Sequence, residues 1–481
     1  MCLSGALLIG QAAAIAWLIQ AVLVDHRPLA EATPVLLGLL AVLGIRTLLG
    51  SATQAAAGDV ADAARLALRE RVYQRLLGRG PLWLRQQRTG ELGELMLAHA
   101  DAIENYYSGY QPVRIEVVVV PLLIAIAVAW TDWVIALILL FTAPLVPFSF
   151  ERRPAGPDDV RIEILFSGIC HSDLHQARDD WGGSKFPMVP GHEIIGRVTE
   201  VGANVTRFKI GDFAGVGCMV DSCRHCAACD EDLEQYCEKG ATFTYNSTER
   251  ESGQPTFGGY SDHIVVEQRF VVKVSDTLDL KAAAPLLCAG ITTYSPLRHW
   301  KVGPGQKVGV IGLGGLGHMG VKFAKAMGAT VVMITTTPEK GADAKRLGAD
   351  EVLVSRDPAQ MKAHAGSFDF LLNTIPVSHD TNPYMSLLKR DATMCLVGVL
   401  TELEPPLMGA AMMFGRKHIT GSAIGGMAET QEMMDFCAEH NIVSDVEVID
   451  IKTVNEAWER MARNDVRYRF VIDMGTLEKA A

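Results

Sequence analysis

Lysine is missing from the first 184 residues of this 481-residue chain. Lys185 is the first, and from there lysines recur to Lys479. Cysteine is almost as scarce in that part: Cys2 stands alone until Cys170. A composition break of this kind points to two segments with different histories. No linker-like run separates them, since "LILLFTAPLVPFSFERRPAGPDDVRIEILFSGICHSD" passes straight from one to the other. Basic charge is also short: the net charge is −11, which argues against a general nucleic-acid binder. No G-x-x-x-x-G-K-[ST] phosphate loop occurs, which excludes a P-loop nucleotide-hydrolysing engine. Of the ten cysteines, five crowd between Cys218 and Cys237, a spacing that reads as metal binding in a reducing compartment rather than a disulfide framework.

What the first part does contain is apolar sequence. Leu3 to Val24, Val35 to Gly50, Val117 to Trp130 and Trp133 to Phe148 are four runs of the kind expected for membrane spans. Trp130 and Trp133 would mark an interfacial belt, and the arginine-rich segment from Arg65 to Arg88 would lie on the cytoplasmic side. The motif "RQQRTGELGELMLAHADAIENYYSGYQPVR" resembles the transmembrane domain of an ABC exporter of the cysteine/glutathione type. The resemblance ends near Pro147, after four of the six helices such a permease needs. A transporter fragment carrying an inactive fused dehydrogenase is therefore the weaker reading.

The second part carries chemistry. "CRHCAACDEDLEQYC" sets Cys223, Cys226, Cys229 and Cys237 in the pattern C-x2-C-x2-C-x7-C. Four thiolates so spaced suit a closed, tetrahedral, structural zinc site. A second set is dispersed: Cys170, His171, Ser172, Asp173 and His175 in "GICHSDLH", His192 and Glu193 in "VPGHEIIG", and Cys288 in "PLLCAGITTY". One histidine and two cysteines would hold a zinc with an open position for water or substrate.

"KVGVIGLGGLGHMGVKFAKAMGATVVMITTTPEK" predicts a strand at Lys307 to Ile311, a turn through Gly312, Gly314, Gly315, Leu316 and Gly317, a helix, and a second strand at Thr330 to Ile334. This is the context a dinucleotide fingerprint requires, with the pyrophosphate on the helix N-terminus. An NAD-preferring fold ends the second strand in Asp or Glu. Here Thr335, Thr336 and Thr337 stand there with Lys340 beyond, a set that suits a 2′-phosphate, so NADP is expected. Glu339 is expected to face solvent.

Together these motifs resemble the zinc-dependent medium-chain alcohol dehydrogenases, in their cinnamyl-alcohol-dehydrogenase-like, NADP-dependent aldehyde reductase branch, over about Arg153 to Thr476. The resemblance implies that Cys170, His192 and Cys288 ligate a catalytic zinc which Glu193 can approach, and that Asp173 orients His192. It implies a proton relay through Ser172 and His175. It places Thr292, Thr374, Gly398, Ser422 and Ile424 against the cofactor, and Thr336 and Lys340 on its 2′-phosphate. It further implies two zinc ions per chain, NADP(H), a small aldehyde or alcohol substrate and a homodimer through the nucleotide domain. A quinone-reductase-like cousin without catalytic zinc would lack the three ligands.

The expected architecture is a transmembrane all-α segment at 1–148, then a GroES-like β-rich domain at 151–287 with its zinc lobe at 223–237. A Rossmann α/β domain at 288–424 and a return to the first domain at 425–481 complete it. Since the family's substrate domain opens with strands that precede the junction, those first strands are expected to be missing. The enzyme part is expected in the cytoplasm, held at a membrane if residues 1–148 are expressed with it.

Overall fold

The computed structural model describes residues 150–398, 403 and 405–477, and scattered helical positions between 11 and 70. The chain divides into two units, Met1–Ser149 and Phe150–Ala481. In the first, Gln20–Val24 form a π-helical turn and residues 33–45 are helical. The four expected spans lie wholly or partly outside the described residues. Among the described residues, no helix is long and apolar enough to cross a membrane.

The second unit contains two large sheets. One is built on β1, Asp159–Ile169, whose Val160, Ile162 and Ile164 are buried while Arg161 and Glu163 between them are half-buried. That period of two is what a strand with one face in a core requires. β1 pairs antiparallel with β2 (Ile194–Val201) on one side. On its other side it pairs with β6 (His263–Glu267) near its start and with β15 (Arg469–Asp473) near its end. β3 (Phe213–Val216) and β7 (Val272–Lys273) continue the sheet beyond β2, and β14 (Val446–Asp450) lies beside β15. β4 (Met219–Asp221) and β5 (Thr242–Phe243) pair separately and flank the cysteine-rich segment. Among the described residues β6 has β1 as its one strand partner. The segment leading into β1 is nonetheless anchored: the Arg152 guanidinium donates to the carbonyls of Phe257 and Gly258, each at 2.9 Å.

The other sheet is wholly parallel, in the order β10-β9-β8-β11-β12-β13. The strands are β8 Lys307–Ile311, β9 Thr330–Thr335, β10 Glu351–Val354, β11 Phe368–Asn373, β12 Leu388–Leu396 and β13 His418–Gly421. The strand order reverses between β8 and β11, so the doubly wound rule puts a ligand crevice at the carboxyl ends of these two strands. The glycine-rich turn follows β8 at that end.

Candidate metal centres and cofactor turn

β1 ends at Ile169, and Cys170 starts the helix α1 (His171–Ala177). Cys288 in the same way starts α2 (Ala289–His299). Both thiols thus sit at helix N-termini, where unsatisfied backbone N–H groups favour a thiolate. Their sulfurs are 3.9 Å apart. Two sulfurs on one tetrahedral zinc, each bonded at about 2.3 Å, would stand about 3.8 Å apart. Donor atoms of Cys170, His192, Glu193 and Cys288 all lie within 4.8 Å of one another. His192 Nε2 and Glu193 Oε2 are buried there without any hydrogen-bond partner. Orphaned buried polar atoms are costly, and a cation would satisfy both. The Cys170 thiol is held well below its ordinary range by the hydrogen bond from Cys288, and Cys288 is raised in return. Burial pushes Glu193 up to about 7 against the pull of Arg469. The donor set and its spacing therefore fit zinc.

The surroundings hold these groups in place. Asp173, fully buried, accepts from the backbone N–H of Cys170 (2.8 Å) and of Gly191 (3.1 Å). It also accepts from Tyr260 Oη at 3.3 Å, and its Oδ1 lies 3.3 Å from His192 Nδ1. That contact turns His192 Nε2 toward the thiols. Tyr245 stacks on His192 with ring centroids 5.7 Å apart. Ser172 Oγ lies 3.6 Å from Cys170 Sγ, and His175 Nδ1 lies 2.8 Å from Asp180.

The four-cysteine lobe is a separate cluster. Cys223 and Cys229 sulfurs are 3.9 Å apart and those of Cys226 and Cys229 3.5 Å. Backbone N–H groups of Cys223 and Glu238 donate to Cys237 Sγ (3.3 Å) and Cys226 Sγ (3.4 Å). The Glu238 donor helps lower Cys226 to about 6. Thiolates so solvated are the form that binds metal.

At the cofactor turn, Gly312 has φ +93°, and a Cβ on Gly317 would fall 1.9 Å from the Gly312 carbonyl oxygen. Only glycine lets the helix α3 (Gly317–Ala326) start so close to the turn. Gly314 has open space around its Cβ position. Lys340 reaches back over the turn to the Leu313 carbonyl, 3.4 Å away, while Thr335 is buried and Thr336 and Glu339 are exposed. Thr374 Oγ1 donates to the Ile311 carbonyl at 2.8 Å, and a Cβ on Gly398 would strike the Ile375 carbonyl. Thr292 is buried on α2, Ser422 N–H donates to the Leu396 carbonyl, and Ile424 takes a φ of +39°. A cavity of about 150 Å³ joins Gly314, Gly315 and Lys340 to His171, Arg467 and Arg469. Thr292, Thr335, Thr336, Thr374, Gly398, Ser422 and Ile424 do not line it.

Reading the sequence alone misses Arg469, whose guanidinium is buried against Glu193, together with Arg467 and the ring of Tyr260. One signal for Arg469 was present: an arginine opening the otherwise apolar run "RFVID". A buried charge in a strand needs a partner.

Residues 156–276 match the family model "Alcohol dehydrogenase GroES-like domain", and residues 315–439 match "Zinc-binding dehydrogenase". The chain belongs to the zinc-type medium-chain alcohol dehydrogenases, an oxidoreductase family. Its relatives include the aldehyde reductase YahK of Escherichia coli, 55% identical over 335 residues, which are 69% of this chain and 96% of the relative. The NADP-dependent alcohol dehydrogenase C 1 of Mycolicibacterium smegmatis is 52% identical over 70% of this chain and 96% of its own length. Among solved structures, a cinnamyl alcohol dehydrogenase from Sorghum bicolor is 48% identical with a TM-score of 0.67, covering 70% of this chain and 96% of its own. Residues 2–150 match the model of the ABC transporter transmembrane region.

Proposed function

We propose that this chain is a zinc-dependent, NADP(H)-linked alcohol dehydrogenase and aldehyde reductase, moving hydride reversibly between NADPH and an aldehyde or primary alcohol. The observation that carries the reading is the buried pair of unpartnered donor atoms, His192 Nε2 and Glu193 Oε2, beside two thiols 3.9 Å apart. Cys170, His192 and Cys288 would hold a zinc ion there, with Glu193 able to exchange onto it. When bound, zinc supplies a Lewis acid for a carbonyl or alcohol oxygen, and the nicotinamide supplies or takes the hydride.

The chain's own groups do the rest. Asp173 keeps His192 in the tautomer that leaves Nε2 free. Tyr245 covers one face of that imidazole and keeps water from it. Ser172, beside Cys170, offers a hydroxyl that can pass a proton, and His175 next to Asp180 can replenish it. Arg467, Arg469 and Lys340 put positive charge around the glycine turn, as a dinucleotide's phosphates require. Thr336 and Lys340, in place of an acidic residue, favour a 2′-phosphate. Thr292, Thr374, Gly398, Ser422 and Ile424 shape the crevice at the strand ends. Cys223, Cys226, Cys229 and Cys237 hold a second, structural zinc. The names of the Mycolicibacterium and Escherichia relatives, an NADP-dependent alcohol dehydrogenase and an aldehyde reductase, support this reading.

Two finer readings accompany it. The edge strand β13 and the exposed Met408, Met413 and Phe414 form the face of a homodimer. Residues 2–150, matching an exporter region, hold the enzyme at a membrane with its catalytic part in the reducing cytoplasm.

The test is metal content and turnover of the purified full chain. Two zinc ions per chain are expected, with kcat/KM for NADPH at least about tenfold above that for NADH, a difference of about 1.4 kcal/mol. Cys170→Ala and His192→Ala should each keep the structural zinc and lose turnover by about a thousandfold or more. One metal or none in the wild type, or wild-type rates in either variant, would refute the assignment.

A further inference from the structure

We infer that His318 is a positioning residue for the cofactor: it braces the glycine turn against the segment that leads into the Arg469 strand, and thereby holds the turn in the shape that binds the cofactor. This rests on the reading of that turn as the NADP(H) site.

His318 is fully buried at the second position of α3. It does not line the cavity at the turn, whereas Tyr468 and Arg469 do. Its Nδ1 lies 3.2 Å from the Gly314 carbonyl. A carbonyl can only accept, so Nδ1 carries the proton. Nε2 is then an acceptor, and it takes the hydroxyl of Ser444 at 2.9 Å. The ring lies nearly parallel to that of Tyr468, with centroids 4.9 Å apart. Burial lowers the imidazole to about 3, so this neutral tautomer persists across any working pH.

The far side of the contact is equally well held. Tyr468 and Arg469 both donate their backbone N–H to the Asp445 carbonyl, at 2.9 and 3.2 Å. The Asp445 carboxylate takes Lys322 of α3 and Arg346, each at 2.6 Å. The Tyr468 hydroxyl donates to Asp343. Arg469 then reaches from the head of β15 to Glu193, next to His192. Contacts therefore run unbroken from Gly314 through His318, Tyr468 and Arg469 to Glu193. The turn and β15 abut directly as well: a Cβ on Gly315 would lie 3.0 Å from Arg469 Nη1. A histidine that merely filled space would need neither of its two directional bonds. Here one of them ends on the turn that must present its N–H groups to a pyrophosphate.

Three substitutions separate these roles. His318→Asn can place an amide N–H where Nδ1–H stands and keep the Gly314 bond. His318→Gln extends toward Ser444 instead, and His318→Phe keeps the ring stack with neither bond. The readouts on the full chain are the NADPH dissociation constant from tryptophan fluorescence, zinc content, and KM against kcat. In His318→Phe and His318→Gln, the NADPH dissociation constant and KM should rise about tenfold, the size of one neutral hydrogen bond lost. In the same variants zinc should stay at two per chain, with kcat and the aldehyde KM little changed. His318→Asn should bind NADPH within about threefold of the wild type, as its retained bond requires. NADPH binding unchanged in all three, or a loss in His318→Asn as large as in His318→Phe, overturns the positioning role. Should the phenylalanine variant fail to fold, the Asn and Gln pair decides alone, equal affinities counting against it. A wild-type chain that binds no NADPH would instead remove the cofactor reading itself.

Discussion

Asp173 shows how much one side chain can organise when both of its oxygens are spent. In the sequence it is an acid three residues after Cys170. In the fold it fastens the Cys170 and Gly191 backbone, the Tyr260 hydroxyl and the His192 ring together. The metal-ligating types were legible because cysteine and histidine at such spacings have few other uses. Arg469 and Tyr260 were not, because arginine and tyrosine occur everywhere and only their neighbours give them a role. His318 carries a prediction at this scale. Its imidazole titrates near 6.5 when unfolded and near 3 when buried. Below about pH 6.5 the unfolded chain binds a proton that the folded chain refuses, so stability falls as pH drops from there toward 3. The loss approaches about 1.4 kcal/mol per pH unit in that window. His318→Gln should flatten this slope: the gap in melting temperature between wild type and variant should narrow with acidification. A gap independent of pH between 6.5 and 4 would contradict it.

At the scale of elements, the zinc lobe and the glycine turn were readable because each packs its chemistry into one contiguous stretch. The strand Lys307–Ile311 falls where the apolar run predicts it, and the second strand runs one residue further, to Thr335. The sheet around β1 was less legible, since on one side it is flanked by β6 and β15, which lie far along the chain at His263–Glu267 and Arg469–Asp473. The lobe is short of regular structure, holding only the helical turns Ala227–Asp230 and Glu234–Tyr236. Metal binding there is therefore folding free energy for the segment. Cys229→Ser should leave about one zinc per chain, the catalytic one, and speed proteolytic cleavage within 223–237 by about tenfold or more. Cleavage and metal content both unchanged would show that the four cysteines hold nothing.

For the whole molecule, the parallel sheet leaves β13 as an open edge among the described residues, and Met408, Met413 and Phe414, shortly before it in the chain, are 61%, 70% and 86% exposed. Open edges and clustered exposed apolar groups are what proteins cover with a partner. With a second copy as that partner, the chain in detergent should sediment at twice its 52.1 kDa at micromolar concentration. Phe414→Glu should shift it toward a single copy. A wild type that stays monomeric would refute the face.

By itself the sequence determined the ligand types, the four-cysteine spacing, the glycine turn and the acid-free end of the second strand, because each is a local property of a few adjacent residues. It also displayed the break in composition before Lys185. Only the tertiary structure decided which distant groups meet. Cys170 and Cys288, 118 residues apart, come within 3.9 Å. Glu193 finds Arg469 across 276 residues. β1 and β15 pair side by side, and that pairing carries the head of one strand to the end of the other. Such a pairing leaves no local trace in sequence, since hydrogen bonds between strands are made by backbone that every residue shares.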